Sequence, residues 1–311
     1  MLVIAVGFVG CAQPRGVDTL PLRDVPPFSA SGNDGAREQS PQWWTVFGDD
    51  ELEAAIDRAI DDSFTLAAAW QRLRAARAIA EREGADLWPQ LDGVGSAQWS
   101  ESFGDGGGDF DDFDDFDGDD DTEFSLGLEA GYEVDLWGRI ESRVEAERLR
   151  ARATAAEYRT AALTLAAEVT RTWYRLAEAQ RQLDILQQQI DTNESVVELL
   201  EDRFAAGQIR SADVLRQRQL VEATREQAVL ARSRQARLQH QLAVLMGRPP
   251  QAEPPNPRGE LPEIPPPPAV GLPAELVERR PDVRQARLRL EAADRDLASA
   301  IADQYPRINL T

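Results

Sequence analysis

The chain has 311 residues, of which 42% are hydrophobic, and its formal net charge is −21 at pH 7. This charge argues against nucleic acid as a partner, because a phosphate backbone is bound by basic surfaces. The only cysteine is Cys11 and the only histidine is His240, so an intramolecular disulfide is excluded and a zinc site lacks ligands. No serine-nucleophile, P-loop or H-E-x-x-H motif occurs, so we expect no catalytic residues, no metal site and no cofactor.

The N-terminus carries the features of an export signal. The apolar run MLVIAVGFVG precedes Cys11, and such a run ending in small residues is typical of a signal-peptide h-region. FVGC also resembles a bacterial lipobox, in which the cysteine is lipidated and begins the mature chain. We predict a signal peptide and lipobox at residues 1–11, with a buried free thiol at Cys11 as the alternative. No apolar run is long enough to predict a transmembrane helix.

The next segment, residues 12–61, is predicted to be extended at first and helical at its end. Residues 12–41 are rich in proline, glycine, serine and charge, which favours an extended lead-in. The stretch DELEAAIDRAI has one apolar face and can be capped by Asp49 or Asp50. A second helix is predicted from residue 62 to residue 88, because Pro89 ends its pattern.

After Pro89 the hydrophobic period changes from that of a helix to that of a strand. The stretch FSLGLEAGYEVDLW alternates strictly from Phe124 to Leu136. This is long for a soluble strand, whereas a tilted transmembrane strand needs about 9–11 residues. We predict a β-hairpin over residues 89–137 whose apolar face contacts lipid, with a soluble amphipathic hairpin as the alternative. The carboxylates predicted to face water in the lumen are Glu129, Glu133 and Asp135.

The predicted hairpin contains an acidic loop at residues 101–123. Within it, DGGGDFDDFDDFDGDDD holds ten aspartates and no basic residue. An EF-hand register with Gly118 at the glycine position puts Phe113 at the first ligand position and Phe124 at the last, so the motif fails. A long acidic loop between two membrane strands is instead expected at the cell exterior. Weak binding of divalent cations by this loop stays a hypothesis.

A very long helical hairpin is predicted over residues 140–246. No proline or glycine occurs from Ile140 to Ala206, and apolar residues recur about every 3.5 positions. Gly207 interrupts this pattern, and a second helix, capped by Ser211 or Asp213, continues to Met246. The first helix would be about 100 Å long and the second about 54 Å. The 27-residue helix before the β-hairpin, about 40 Å long, nearly makes up the difference.

Residues 249–273 are a proline-rich linker, and the segment 274–311 after it repeats an earlier part of the chain. A shift of 217 residues aligns AWQRLRAARAIAEREGADLWPQL with ARLRLEAADRDLASAIADQYPRI, including Leu73 with Leu290 and Pro89 with Pro306. Each copy ends in an aromatic residue, proline, a polar residue and an aliphatic residue. The pattern predicts a duplication, residues 62–248 being the first repeat and residues 274–311 the start of an incomplete second one.

Several stretches together resemble the TolC-like outer membrane efflux proteins, specifically the lipoprotein branch that forms the exit ducts of tripartite pumps. These stretches are WWTVFGDDELEAAIDRA, LWPQL, GYEVDLWGRI, RFAAGQIRSADVL, LMGRPP, LPAELVERRPDVRQARLRL and QYPRINLT, which lie between residues 41 and 311. The resemblance implies a fold that is mainly α with membrane β: long antiparallel coiled-coil helices forming a periplasmic tunnel, and strands of a trimeric outer-membrane β-barrel. The helix within 12–61 and the linker 249–273 would lie at the equator of the tunnel.

The resemblance also implies partners and a location. The protein is expected to be a homotrimer, lipid-anchored in the outer membrane, in contact with outer-membrane lipid and extending into the periplasm. Its expected partners are a periplasmic adaptor (membrane fusion protein) and an inner-membrane RND-type pump. The turn around Gly207 would be the periplasmic tip, with ordinary coiled-coil packing as the alternative. The residues implied in adaptor docking are Arg203, Phe204, Gly207, Ser211, Val214 and Leu215.

The expected function is therefore a passive exit duct for drugs or other small molecules, from the periplasm to the exterior. Lumen carboxylates would favour cations by electrostatics. The alternatives are a type I protein secretion duct and a soluble periplasmic coiled-coil adaptor, while an acidic enzyme or calcium-dependent binder would rest on the aspartate-rich run alone. Because the second repeat stops at Thr311, we expect this chain alone to form no functional channel.

Overall fold

The computed structural model describes residues 42–101, 120–250, 257, 261–262 and 279–311. The predictions for the signal peptide with Cys11, for the extended segment before residue 42, for most of the acidic loop and for most of the proline-rich linker lie outside these residues. The described elements are a 3₁₀ helix (Trp43–Phe47), α1 (Asp50–Asp62), α2 (Phe64–Ala85), β1 (Gln90–Glu101), β2 (Asp120–Glu133), α3 (Arg139–Ala205), α4 (Ser211–Leu245), α5 (Pro281–Ala302) and β3 (Asn309–Leu310).

The chain divides into two compact units. The larger unit contains the described residues among 42–75 and 152–287, and the smaller unit contains those among 76–151 and 288–311. Helices α2, α3 and α5 each contribute residues to both units. The smaller unit carries all three strands.

The long helices form where the sequence predicts them. Helix α3 has 67 residues and α4 has 35, and both bounds differ by one residue at most from those predicted. The predicted cap of α4 is wrong, because Arg210, with extended backbone, occupies the N-cap and makes no side-chain cap hydrogen bond. Ser211 is already the first helical residue, so its hydroxyl lies one position too late for that role.

The apolar core of the larger unit is built on one face of α3. Asp49 caps α1 by accepting hydrogen bonds from the backbone N–H groups of Glu51 and Leu52, at 3.1 and 3.0 Å. Its other oxygen accepts the indole N–H of Trp173 at 2.9 Å, so one carboxylate joins the start of α1 to α3. Burial and the nearby Asp49 carboxylate raise the pKa of Tyr174 to about 12. The largest fully buried residues here are Trp173, Leu52, Ile56, Leu176, Leu242 and Met246.

Gly247 lets the end of α4 approach the end of α1. Its φ of 69° lies in the left-handed region, and a Cβ on it would lie 2.1 Å from the backbone oxygen of Asp62. Only glycine tolerates both conditions without strain. This is the structural reason for glycine in the motif LMGRPP.

In the smaller unit the strands form one sheet in the order β1-β2-β3. β1 and β2 are antiparallel, from Gln90 opposite Gly131 to Glu101 opposite Asp120. β3 pairs with the other edge of β2, with Leu310 opposite Tyr132. The predicted loop bounds are therefore too wide, since Glu101 and residues 120–123 belong to the strands. Pairing of the backbone extends the strands beyond the apolar alternation that predicted them.

β2 also ends earlier than predicted, at Glu133 rather than Leu136, because Asp135 caps α3. The two oxygens of Asp135 accept the backbone N–H groups of Arg139 and Glu141, each at 2.7 Å. A capping carboxylate must precede its helix, so the chain leaves the sheet before Asp135.

Acidic side chains also surround Arg139 at the start of α3. Both oxygens of Glu133 lie 2.7 Å from the Arg139 guanidinium, and the Asp303 carboxylate lies 3.7 Å away. The hydrogen bonds to Glu133 raise the pKa of Arg139.

The two helices related by the predicted repeat have matching bounds, and the repeat itself stays a prediction. Helices α2 and α5 both have 22 residues, and their first and last residues are related by the shift of 217. Equivalent contacts follow each helix: Gln90 donates to Asp86 at 3.3 Å, and Arg307 donates to Asp303 at 2.8 Å. Each pair brackets the aromatic residue and proline that lead into a strand.

Replacement of Gly247 by alanine should lower the free energy of unfolding by about 3 kcal/mol, because the methyl group overlaps the Asp62 carbonyl and the backbone is left-handed. Chemical denaturation measures this change. Gly84→Ala, within α2, is the matched control: nothing lies within 4 Å of its Cβ position, and the helix should gain up to about 1 kcal/mol. Equal denaturation midpoints for the two variants would contradict the close contact between Gly247 and Asp62.

Replacement of Arg139 by glutamine should destabilise the β2–α3 junction by about 1–2 kcal/mol, because Glu133 loses its bidentate, charge-assisted hydrogen bonds to the guanidinium. Arg139→Lys should recover only part of this, since an ammonium group cannot match both oxygens. Amide hydrogen exchange at residues 133–141 locates the effect. Arg82→Gln removes an ion pair whose arginine side chain is 73% exposed, and should leave these amides unchanged.

Candidate functional site

The β1–β2 hairpin presents one apolar face, and that face is exposed. Cross-strand partners share a face, and the register puts Leu91 opposite Ala130 and Ala97 opposite Phe124. Leu126 is 93% exposed and Leu128 is 78% exposed. A contiguous exposed face of this kind marks a contact with lipid or protein rather than with water. The residues of the apolar face are Leu91, Gly93, Gly95, Ala97, Trp99, Thr122, Phe124, Leu126, Leu128 and Ala130.

The opposite face of the hairpin is polar. The Ser96 and Ser125 hydroxyls lie 2.8 Å apart across the two strands. Asp92 lies directly opposite Glu129, a pairing of like charges that is destabilising unless water screens it. The hairpin is thus amphipathic, with one face suited to an apolar medium and the other to water.

The three acids predicted for the lumen lie in different surroundings. Glu129 is exposed on the polar face, opposite Asp92. Glu133 is the last residue of β2 and binds Arg139, while Asp135 lies beyond the strand and caps α3. Two of the three therefore stabilise the junction between sheet and helix. A lumen-facing role for these residues stays a prediction.

The turn between α3 and α4 is closed by Gly207. The backbone N–H of Gly207 donates to Phe204, and that of Gln208 donates to Arg203, each at 2.9 Å. This pair of bonds is a Schellman motif, which requires left-handed backbone at the residue after the helix; Gly207 has a φ of 72°. The sequence predicted the turn but not this closure.

Most of the residues predicted for adaptor docking are accessible around this turn. Phe204 is 49% exposed and Leu215 is 61% exposed, and Arg203, Gly207 and Ser211 are exposed as well. Val214 is different, because only 7% of it is exposed and its side chain cannot offer a surface to a partner. A docking role for the accessible residues stays a prediction.

Polar pairs that were not predicted join α3 to α4 near the turn. Arg218 donates to Glu201 at 2.6 Å, and Gln217 donates to the side chain of Asn193 at 3.2 Å. Arg225 pairs with Glu194. Opposite charges on facing helical positions set the register of a coiled coil, and that pattern is the sequence signal by which the two ion pairs could be found.

Within the described ranges, no group of three or more histidine, cysteine or acidic residues could hold a metal ion. None of the described helices is long and apolar enough to cross a membrane. His240 is an exposed residue of α4.

Comparison with known proteins shows extensive similarity. Residues 55–248 match the outer membrane efflux protein family. The pyoverdine export outer membrane protein OpmQ of Pseudomonas aeruginosa is 34% identical over 275 residues, which are 87% of this chain and 57% of that protein. The cation efflux system protein CusC of Escherichia coli K12 is 27% identical over 99% of this chain and 66% of its own length. The chain thus spans less than two thirds of these relatives.

Solved structures agree. The outer-membrane channel OprN is 27% identical with a TM-score of 0.74, covering 89% of this chain and 61% of that channel. A CusC structure is 26% identical with a TM-score of 0.72, covering 91% and 62%. These matches confirm the predicted class, mainly helical with membrane β strands. Since the family match alone covers more than half of the residues, this chain belongs to the outer membrane efflux protein family.

Proposed function

We propose that this chain is part of an outer-membrane exit duct of a tripartite efflux system, through which small molecules pass passively from the periplasm to the exterior. The observation that carries the proposal is the amphipathic hairpin joined to a helix of 67 residues by only five residues, 134–138. A helix of that length measures about 100 Å. The hairpin suits a bilayer and the helix suits the depth of the periplasm.

The proposed mechanism involves no chemistry at the duct. The apolar face of the hairpin contacts lipid, and the polar face with Glu129 lines a water-filled path. Carboxylates along that path, Glu133 and Asp135 included, would favour cations. The relatives are named for different cargoes, pyoverdine and cations among them, so the proposal is limited to small molecules.

The open edges of the sheet support assembly as a homotrimer. Among the described residues, β1 pairs with β2 along one edge only, and β3 likewise pairs with β2. Unpaired strand edges are not tolerated in lipid, so further strands must complete the sheet. In the proposed complex a periplasmic adaptor contacts the turn at Gly207, and an RND-type pump in the inner membrane drives export.

A lipid anchor at Cys11 is a further part of the proposal, supported by the lipobox-like FVGC. One acyl chain alone binds a membrane weakly, so the anchor would act together with the hairpin. Cells fed labelled palmitate should incorporate label into the protein, and Cys11→Ser should abolish that label. Label that persists in the serine variant would rule out Cys11 as the acylated residue.

Deletion of the gene from its own host should sensitise cells to the cargo of the partner pump, and the intact gene should restore resistance. Leu215→Asp should weaken adaptor co-purification by about 30-fold and fail to restore resistance. In the proposed complex the adaptor buries the Leu215 side chain, and the substitution puts an unpaired charge in that contact. Val229→Asp is the matched control, since both residues are 61% exposed on α4.

Two results would contradict the proposal. Full resistance with Leu215→Asp would remove the docking role of the turn. Unchanged drug sensitivity on deletion, together with loss of a secreted protein from the medium, would favour the type I secretion duct instead.

A further inference from the structure

Side-chain packing on the apolar face leaves the β1–β2 hairpin open to a slip of two residues. Glycines of β1 lie opposite leucines of β2, Gly93 opposite Leu128 and Gly95 opposite Leu126. A slip of two residues puts Gly93 opposite Leu126 or Gly95 opposite Leu128, so in either direction a glycine still faces a leucine. The slip also keeps the apolar and polar faces of each strand. Glycine-rich strands of this kind specify their register only weakly.

The facing acids on the polar side favour a slipped register over the observed one. Asp92 lies directly opposite Glu129, and like charges at such positions destabilise a sheet. A slip of two residues puts Asp92 opposite a glycine in either direction, Gly127 or Gly131, and separates the two carboxylates. The observed register therefore needs support from outside the strand pair.

The connection between the two strands does not supply that support. Residues 102–119 join β1 to β2, and only a turn of a few residues imposes a register on the strands that it joins. The register must therefore be set at the opposite end of the hairpin, where each strand continues into a helix.

At that end both strands are tied to the start of α3. Gln90, the first residue of β1, donates a hydrogen bond to one oxygen of Asp86 at 3.3 Å, and the other oxygen forms an ion pair with Arg143 of α3. Glu133, the last residue of β2, accepts hydrogen bonds from Arg139, also of α3. Two arginines of one helix thus hold the ends of the two strands.

The spacing of the two arginines gives the strands a fixed offset. Arg139 and Arg143 are about 6 Å apart along α3, and the helix keeps that distance constant. Glu83 of α2 lies 3.0 Å from Arg143 and adds a second carboxylate to the same contact. A slip of two residues would carry β1 and the end of α2 about 7 Å along β2, which is far enough to break both contacts of Arg143.

The start of the predicted second repeat is held in the same way. The shift of 217 residues relates Asp303 to Asp86, and Asp303 lies 3.7 Å from Arg139. Arg307, two residues before β3, donates to Asp303 at 2.8 Å. An arginine of α3 and the residue that leads into a strand therefore meet at equivalent aspartates in both places.

The two strand entries produce a regular stagger along β2. Asp92 of β1 lies opposite Glu129, whereas its equivalent Asn309 of β3 lies opposite Glu133, four residues further along β2. A sheet of tilted strands closes only when its strands are staggered by a fixed amount. The contacts with α3 act at the positions where this stagger has to be set.

We propose that Arg139 and Arg143 are positioning residues whose ion pairs set the register of β1 on β2. The acids that they position are Asp92 and Glu129, which lie opposite each other only in this register. In the proposed duct this pair of carboxylates faces the water-filled path, and a slip would separate the pair and weaken the preference of the path for cations. That last step rests on the proposed function, whereas the register itself does not.

Disulfide cross-linking in intact cells tests the register. The Ser96 and Ser125 hydroxyls lie 2.8 Å apart, so Ser96→Cys/Ser125→Cys should form a disulfide on mild oxidation of the protein expressed from its own gene. Ser96→Cys/Glu123→Cys and Ser96→Cys/Gly127→Cys report the two slipped registers and should form far less disulfide. Peptide mapping by mass spectrometry identifies each bridge and separates it from any bridge to Cys11.

Replacement of Arg143 by glutamine should shift disulfide formation about fivefold from the 96–125 pair toward a slipped pair, because an ion pair no longer ties β1 to α3. Arg143→Lys keeps the charge and should keep the 96–125 disulfide. Arg82→Gln is the matched control, because Arg82 pairs with Glu83 of its own helix, and it should leave the register unchanged.

Two further variants separate a change of register from general destabilisation. Asp92→Asn removes the like-charge pair, so in the Arg143→Gln background it should bring the 96–125 disulfide back, whereas a protein that was only destabilised would not recover. Asp86→Asn leaves Glu83 in contact with Arg143 and should cause a smaller shift in the same direction.

The proposal is overturned if Arg143→Gln and Asp86→Asn both retain the 96–125 disulfide alone, if both abolish every disulfide, or if Arg82→Gln shifts the register as much as they do. Resistance assays on the same cells separate the two proposals. A shifted register in a host that loses no resistance on deletion of the gene leaves the positioning role standing and contradicts the proposed duct. Efflux that depends on the gene, with an unshifted register in both variants, contradicts the positioning role alone.

Discussion

The uninterrupted helix α3 is the element on which the other parts depend, because a single helix cannot bury its own apolar side chains. In the larger unit apolar side chains of other helices pack against α3. The Asp49 carboxylate there joins the start of α1 to Trp173. In the smaller unit its arginines are held by acids of other elements: Arg139 by β2, Arg143 by α2 and Arg150 by α5. Burial accompanies these ion pairs, since Ile140, Val144 and Leu149 of α3 are also buried in the smaller unit.

The junction between β2 and α3 joins two elements with different surroundings. The hairpin exposes apolar side chains on one face, whereas the helix begins with a cap and a charged cluster around Arg139. These charges fix the point at which the strand stops, and Asp135 can cap the helix only because it has left the sheet. The alternating pattern places Glu129, Glu133 and Asp135 on the face of the strand that meets water. Two of them, Glu133 and Asp135, bind groups at the start of α3 instead.

Helices α2 and α5 are alike in length and differ in burial. Their equal lengths and equivalent Asp86–Gln90 and Asp303–Arg307 contacts come from shared local sequence. Their burial differs, since Ala302 of α5 is 3% exposed whereas Ala85 of α2 is exposed.

The sequence by itself determined the type and approximate position of the long elements, and the family. Absence of proline and glycine predicted α3, strict alternation predicted β2, and the shift of 217 residues predicted α5, since each is a local pattern. Only the tertiary structure decided the partners: Asp49 with Trp173, Gly247 beside Asp62, and the face of α5 that meets α3. These contacts join residues that lie far apart in the chain. A local sequence pattern shows that one face of an element is apolar or charged, but it does not show which residues pack against that face.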